Sequence, residues 1–327
     1  MKFGMILAMA ALTAGFAFGL DTPLKRADIR IRDPFVLAEN GVYYLYAATG
    51  NPWQTTKAEP NVGVMVYRSE NLEDWAKPER VCTIPPDWLV AAVWAPEVHK
   101  YNGKYYLFAT MNYTTEPKVN SMLEGWHPQP MLRRGTCVFV SESPMGPFKK
   151  MKDGSHTPSE WLALDGTLWV EKGVPYMVFC HEWLQLRDGT IDVMELKPDL
   201  SDAVTKPEKL FPASSAPDHR TDPNAGLVTD GPFVYRSPKS GKLFMIWSTF
   251  ANRGGYNVQL AESTSGSVKG PWTQRGAIYA GDSGHGMIFK RFDGQLMLSL
   301  HGPNASPKER AHFIPLEDTG DGLKVKP

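Results

Sequence analysis

The stretch 33–49 reads DPFVLAENGVYYLYAAT: a short apolar strand, a turn around Gly41 and a second strand rich in tyrosine. The same pattern of strand, glycine turn and strand starts again at residues 95, 165, 230 and 285. A hairpin that repeats every ~50 residues or more is typical of β-propeller blades, so five copies predict five blades. The other four copies are APEVHKYNGKYYLFATM, DGTLWVEKGVPYMVFCH, DGPFVYRSPKSGKLFMIWST and HGMIFKRFDGQLMLSLHG.

A second repeated element follows three of these hairpins. It consists of a strand, then serine among polar residues, then a turn that ends on an aromatic residue. We interpret it as the third strand of a blade with an outer strand after it, which predicts four-stranded blades. The chain is therefore expected to be all-β and to form a single five-bladed β-propeller. The copies are VMVYRSENLEDW (64–75), CVFVSESPMGPF (137–148) and VQLAESTSGSVKGPW (258–272).

Residues 1–19, MKFGMILAMAALTAGFAFG, have the layout of a secretory signal peptide. Lys2 supplies the positive start, an apolar run follows, and residues 17–19 match a small-x-small cleavage signal. We expect cleavage near Leu20 and export to the periplasm or the extracellular space. The mature protein, residues 20–327, would then be one five-bladed propeller domain. No later segment is apolar for long enough to span a bilayer.

The composition argues against several classes of partner. The 327 residues include 35 basic and 35 acidic side chains, so neither nucleic acid nor an anionic membrane surface is expected to bind. The three cysteines, Cys82, Cys137 and Cys180, lack metal-type spacing. The last two lie in strand-like runs and are expected to be small buried residues, while a disulfide stays open. We expect a monomer.

The five repeats carry titratable side chains at one common register. Their first positions are Asp33, Ala95, Asp165, Asp230 and His285. Inner strands of a propeller line its axis, so three carboxylates and one histidine would face a single central pocket. Repulsion and burial would raise the pKa of at least one carboxyl group. One protonated and one ionised carboxyl group in the same pocket are what glycoside hydrolysis requires.

These motifs resemble glycoside hydrolase family 43, secreted five-bladed propellers that cleave arabinofuranosides, xylosides and related glycans with inversion. The resemblance covers nearly the whole mature chain. It implies that Asp33 is the general base, that Asp165 raises the pKa of the acid and orients it, and that Asp230 is the general acid. His285 would help to hold a central calcium ion, usually through water. The matching motifs are IRDPFV (31–36), WAPEV (94–98), LDGTLWV (164–170), TDGPFVYR (229–236) and GHG (284–286).

The sequence departs from the family at the general acid, which is usually glutamate. Asp230 is shorter by one methylene, and inverting enzymes need roughly 6.5–9.5 Å between their carboxyl groups. Glu182, in FCHEW, is a rival for this role. It follows the second strand of the third blade, which should return to the channel mouth beside Asp165. Both acids therefore stay open at this point.

Other residues are candidates for supporting roles. Trp94 precedes an inner strand and could stack on sugar, and Glu97 lies two positions beyond Ala95 on the same strand face. Arg253 and His301 lie at the ends of later blades and could contact sugar or a carboxylate. Two further expectations concern Arg32, as an ion-pair partner that keeps Asp33 ionised, and His181, as a structural histidine. The irregular segments 111–135 and 212–229 are expected to be loops that shape the pocket.

The expected function is that of an exo-acting inverting hydrolase that releases a furanose from polysaccharide side chains, with α-L-arabinofuranose as first choice. A β-galactofuranosidase or β-xylosidase of the same family is the first alternative. A propeller that binds glycans without cleaving them is the second. A family 32-like fructosidase is disfavoured because Cys180 is followed by His181-Glu182 and is not preceded by Glu. No organic cofactor is expected, since no nucleotide-binding glycine loop is present.

Overall fold

Two-residue turns with positive φ at both positions close the inner hairpins of three blades. They are Asn40–Gly41, Asn102–Gly103 and Lys172–Gly173, with φ between 47° and 83°. Such turns match the right-handed twist of the strands that they join, and asparagine and glycine tolerate them best. In these three blades the local sequence therefore favours the hairpin independently of contacts between blades.

The computed structural model describes residues 22–49, 62–114, 118–127 and 129–326, so the predicted signal peptide lies outside the described residues. Within them, five antiparallel four-stranded sheets follow one another along the chain, which confirms the five-bladed propeller. From the axis outward, blade 1 contains Phe35–Glu39, Val42–Ala48, Gly63–Ser69 and Glu79–Thr83. Blade 2 contains Val90–Tyr101, Lys104–Tyr113, Arg134–Ser141 and Lys149–Lys150. Blade 3 contains Ala163–Glu171, Val174–His181, Thr190–Glu195 and Glu208–Pro212. Blade 4 contains Asp230–Arg236, Leu243–Phe250, Tyr256–Ser263 and Trp272–Tyr279. Blade 5 contains Gly284–Lys290, Leu296–Gly302, Arg310–Asp318 and Leu323–Val325.

The described residues also form short elements outside the five four-stranded sheets. Two small sheets pair Leu24–Lys25 with Asp74–Trp75 and Lys118–Val119 with Met131–Leu132. The second of these lies in the predicted irregular segment 111–135. A four-residue helix spans Trp183–Leu186, and 3₁₀ turns span Arg26–Asp28, Pro86–Trp88 and Ala213–Ser215. Among the residues described, no helix has the length and apolar character needed to cross a membrane.

The core lies between neighbouring blades. The second strand of blade 4, LFMIWSTF over Leu243–Phe250, is buried at every position except the last. Both faces of this strand are covered because the blade packs against a neighbour on each side, so the strand reads as an apolar run without alternation. Cys82, Cys137 and Cys180 are buried free thiols in this core, which confirms the prediction for the last two.

The segment before blade 1 closes the ring. Leu24 pairs with Trp75 of blade 1, while the Arg26 guanidinium donates to the carbonyl oxygen of Ala311 in blade 5 at 2.8 Å. Ile31 donates its backbone N–H to the carbonyl oxygen of Glu309 at 3.4 Å. The two ends of the propeller are thus joined by main-chain contacts beside Asp33.

One residue at the start of each inner repeat has a left-handed backbone. These residues are Asp33, Ala95, Asp165, Gly231 and His285, with φ of 51°, 42°, 57°, 48° and 53°. In the last four blades the strand pairing shifts at this point, as in a β-bulge, which redirects side chains. The predicted register was therefore wrong by one residue in blade 4, where Gly231 and not the aspartate before it occupies the equivalent position.

Candidate active site

A cavity of about 590 Å³ opens at the propeller axis. Residues in the inner strands of blades 2 to 5, and Asp33 just before the inner strand of blade 1, line this cavity, where the repeats predicted a pocket. Asp33, Asp165 and Asp230 meet there around His285, and we call these four residues the carboxylate cluster. Trp94, Glu182 and Arg32 also line the wall, together with residues 228 and 229 from the end of the irregular segment 212–229.

His285 stands at the centre of the cluster. Its Nδ1 atom is 3.2 Å from an Asp33 oxygen, 3.6 Å from an Asp230 oxygen and 3.9 Å from an Asp165 oxygen. Burial disfavours the charged ring, but the surrounding carboxylates prevail and raise the pKa of His285 to about 10. The imidazolium therefore offsets part of the negative charge that the aspartates bring together.

One hydrogen bond and one glycine fix the position of His285. The backbone N–H of His285 donates to Ser248 Oγ at 2.8 Å. A Cβ atom at position 231 would lie 2.9 Å from the ring carbons, so only glycine leaves room for the imidazole. The glycine in the DGP motif thus provides the space that the histidine in the GHG motif of the next blade occupies.

Asp33 is held in its ionised form. Burial works against the charge, but His285 and then His301 outweigh it and lower the pKa of Asp33 to about 2. His301 is fully buried, and its Nδ1 accepts the backbone N–H of Asp33 at 3.2 Å. It therefore contacts a carboxylate, one of the two partners predicted for it, and supports this aspartate. Arg32 also favours the ionised form, although its guanidinium donates to Glu309 at 3.0 Å and Asn304 at 2.9 Å.

Asp165 and Asp230 form a buried pair that shares one proton. Burial and then the neighbouring charge of Asp230 raise the pKa of Asp165 well above its usual range. The pKa of Asp230 is lowered in spite of burial, first by a hydrogen bond from Asp165 and then by His285. Because two adjacent carboxylates cannot easily ionise together, the proton belongs to the pair. Asp165 is 3% exposed and the Asp230 side chain 25%, so Asp230 is the member that faces the pocket.

Glu182 lies on the cavity wall at the end of the second strand of blade 3, as its position in the sequence predicted. Its Oε1 atom accepts a hydrogen bond from Arg134 Nη1 at 2.9 Å. The Arg134 guanidinium also lies over the Trp94 ring, 4.7 Å from the ring centre. Burial raises the pKa of Glu182, the charge of Arg134 partly opposes this, and the charge of Asp230 adds to the rise. The rival acid is thus bound to an arginine outside the carboxylate cluster.

Two predicted substrate contacts lie elsewhere. Glu97 is buried and paired with His99 at 2.8 Å, because the bulge after Trp94 shifts it away from the lining of the cavity. Arg253 is exposed in the loop before the third strand of blade 4 and is likewise not among the lining residues. The structural role expected for His181 is confirmed, since its ring stacks on Trp161 and its Nε2 bonds to Gln185 at 2.7 Å.

Tyr256 is a site residue that the sequence analysis missed. It lies on the third strand of blade 4 and lines the cavity, with its hydroxyl hydrogen donated to Asp230 Oδ2 at 2.5 Å. The sequence there, YNVQLAES, reads as a strand and contains no motif for catalysis. Only the packing of blade 4 against blade 5 brings this tyrosine to the cluster.

The family model for glycosyl hydrolases family 43 matches residues 27–317. The chain belongs to this family. Among solved structures, an endo-arabinase from Bacteroides thetaiotaomicron is 36% identical, with 91% of this chain and 98% of that chain covered and a TM-score of 0.76. An extracellular endo-α-(1→5)-L-arabinanase from Bacillus subtilis is 22% identical over 81% of this chain and 76% of its own length. An α-L-arabinofuranosidase from Lactobacillus brevis shares the fold, at 20% identity, 92% and 97% coverage and a TM-score of 0.67.

Membership of family 43 establishes the general activity. The chain is a glycoside hydrolase that acts on carbohydrate with inversion at the anomeric carbon, as members of this family do. It shares the five-bladed propeller of its structural neighbours. The alternative of a propeller that only binds glycans is set aside by this assignment.

Replacing Gly231 with alanine should damage the site while the fold persists. The new methyl group would press on the His285 ring and move the group that holds all three aspartates. Because a displacement of about 1 Å costs on the order of a hundredfold in rate, we expect kcat/KM to fall by about that factor. The measurement is initial rate on any glycoside that the wild type cleaves.

Gly241→Ala is the matched control. Gly241 is in the same blade and also has positive φ, but a Cβ atom there meets nothing within 4 Å. This variant should share the backbone strain of about 1–2 kcal/mol and keep its activity. Equal activity losses in the two variants would contradict the proposed steric role of Gly231.

Proposed function

We propose that this protein hydrolyses α-1,5-linked arabinofuranosyl bonds of arabinan, cutting inside the chain. The observation that carries the proposal is the extent of the cavity around the carboxylate cluster. Trp183, after blade 3, and Asn304, where blade 5 meets blade 1, both line it. These places lie on opposite sides of the axis, so sugar units could be bound on both sides of the bond to be cut.

The comparisons support arabinan as the substrate. The 36% identical relative from Bacteroides thetaiotaomicron is described as an endo-arabinase, and the relative from Bacillus subtilis as an extracellular endo-arabinanase. The signal-like residues 1–19 agree with an extracellular substrate, and we propose export on these grounds. Release of single arabinofuranose units, predicted from the sequence, stays the alternative and differs in its products.

In the proposed reaction Asp33 is the general base. Its carboxylate, ionised at neutral pH, takes a proton from the attacking water, and the water oxygen forms the new bond to the anomeric carbon. The bond from that carbon to the leaving oxygen breaks, and the proton of the pair passes from Asp165 to Asp230 and from Asp230 to this oxygen. Asp165 keeps the pair protonated in the resting enzyme. Attack opposite to the leaving group produces inversion.

Geometry favours Asp230 over Glu182 as the acid. Asp33 and Asp230 both lie within 4 Å of His285 Nδ1, so the two carboxyl groups flank one point. Their nearest oxygens can be no farther apart than these two short distances together. This upper limit only reaches the lower end of the ~6.5–9.5 Å separation of inverting enzymes, and it is the place of Asp230 in the carboxylate cluster that favours it as the acid. Glu182 is bound instead to Arg134.

The donor set also fits the calcium ion that the family resemblance implies. Ligand atoms of Asp165, Asp230 and His285 lie within 4.8 Å of one another. Calcium takes six to eight mainly oxygen ligands, so carboxylate oxygens and water would hold it, and the charged His285 ring would contact the ion only through water, as the resemblance implies. We propose that such an ion, when bound, supplies positive charge at the axis and steadies the aspartates.

Linear arabinan should yield oligosaccharides of several lengths from the earliest time points. Internal cleavage lowers the average chain length before free arabinose accumulates, and chromatography of timed samples measures this directly. Asp33→Asn, which removes the base, should abolish the products and serves as the control. Arabinose alone from the start would show exo action, while cleavage only of xylosides or galactofuranosides would contradict the substrate.

Asp230→Asn should lower kcat on arabino-oligosaccharides by about 10²–10⁴, the usual contribution of a general acid. Glu182→Gln is the matched variant, because it also replaces a cavity carboxyl group with an amide. It should reduce kcat much less and act mainly on KM through its contact with Arg134. Retained activity in Asp230→Asn together with loss in Glu182→Gln would assign the acid to Glu182.

Removing calcium should lower thermal stability. An ion that binds only the folded state adds stability by mass action, so a chelator is expected to lower Tm by roughly 2–4 °C for each 1 kcal/mol lost. Differential scanning calorimetry with EGTA, and again after calcium is restored, measures the shift. Asp165→Asn should remove most of it, and an unchanged Tm in the wild type would refute the bound ion.

A further inference from the structure

The hydroxyl group of Tyr256 compensates for the short side chain of the acid, and we propose it as the residue that positions Asp230. The proposal rests on the assignment of Asp230 as general acid. It extends that assignment to a residue on another strand of the blade.

Tyr256 contacts one oxygen of the acid and leaves the other for catalysis. A phenol donates one hydrogen bond, and the bond from Tyr256 goes to Oδ2 of Asp230. The remaining oxygen, Oδ1, lies 3.6 Å from His285 Nδ1, longer than an ordinary hydrogen bond. Together with the hydrogen bond from Asp165, this contact keeps the carboxyl group from rotating freely, and we assign Oδ1 as the oxygen that delivers the proton to the leaving group.

The ring of Tyr256 is fixed on several sides. It is 1% exposed, lies 5.8 Å from the His301 ring at an angle of 26°, and lies 5.1 Å from Phe250. A Cβ atom at position 284 would come within 2.4 Å of its Cε1 atom, so Gly284 provides the space for the ring. A hydroxyl group on a ring so confined can hold a carboxylate in one orientation.

The same packing connects the acid to the base. His301, against which the Tyr256 ring lies, also accepts the backbone N–H of Asp33. The distance between Asp33 and Asp230 is therefore set by one packed group of side chains from blades 4 and 5. An inverting enzyme depends on that distance because water must fit beside the sugar.

A double-mutant cycle on Asp230 and Tyr256 tests the proposal. Tyr256→Phe keeps the ring and its packing and removes only the hydroxyl group. We expect kcat on arabino-oligosaccharides to fall by about 10- to 100-fold with little change in KM, since orientation and not binding is lost. Asp230→Glu should also lower kcat, because the added methylene drives the carboxyl group into the hydroxyl. Removing that hydroxyl makes room for the longer side chain. The kcat of the double variant Asp230→Glu/Tyr256→Phe should therefore be higher than the kcat of either single variant.

A second measurement separates positioning of the acid from a general structural role. A nitrophenol leaving group needs little protonation, so Tyr256→Phe should lose less than about threefold on the nitrophenyl arabinofuranoside or oligosaccharide that the wild type cleaves. Tyr235→Phe is the matched control, because Tyr235 of the same blade donates to Asp318 at 3.0 Å and is not among the residues lining the cavity. It should leave both rates unchanged.

Two results would overturn the proposal. One is a double variant whose loss is simply the product of the two single losses. The other is an equal loss of Tyr256→Phe on natural and nitrophenyl substrates. Failure of the proposed function is a separate result, since it concerns which glycoside the wild type cleaves. If arabino-oligosaccharides are not cleaved, the same cycle is measured on the glycoside that the wild type does cleave.

Discussion

The contact of one imidazole with three carboxylates is the interaction on which this site depends. His285 Nδ1 lies within 4 Å of oxygens from Asp33, Asp165 and Asp230, and all four residues come from different blades. Buried like charges at this spacing would repel strongly in a medium of low dielectric constant. A positive ring at the centre and one proton on the Asp165–Asp230 pair reduce that repulsion. The propeller can therefore bring its inner strands together at the axis.

The same arrangement gives chemically identical side chains different tasks. Asp33 lies beside two histidines, and its pKa falls to about 2. Asp165 lies deeper, beside another carboxylate, and its pKa rises well above the usual range. Asp230 lies between Asp165, which holds the proton of the pair, and the cavity. The surroundings of each aspartate, and not its residue type, thus make Asp33 a base and the Asp165–Asp230 pair a proton donor. Hydrolysis with inversion requires both.

Glycines decide which rings can reach the cluster. Gly231 leaves room for the His285 imidazole, and Gly284 leaves room for Tyr256. Each glycine stands on an inner strand and accommodates a side chain from elsewhere in blades 4 and 5. The DGP and GHG motifs are therefore coupled through space: a methyl group at either glycine would displace a ring that contacts Asp230.

The sequence by itself determined the number of blades, the inner hairpins and all four members of the carboxylate cluster, because strand alternation and Asn-Gly turns are local signals. Tertiary structure alone decided the one-residue offset in blade 4, the burial of Glu97 with His99 and the role of Tyr256. Contacts such as that between Asp33 and His301, 268 residues apart, depend on how blades pack and close. No short pattern encodes such a contact, since its distance is set by bulges and by side chains of the neighbouring blade.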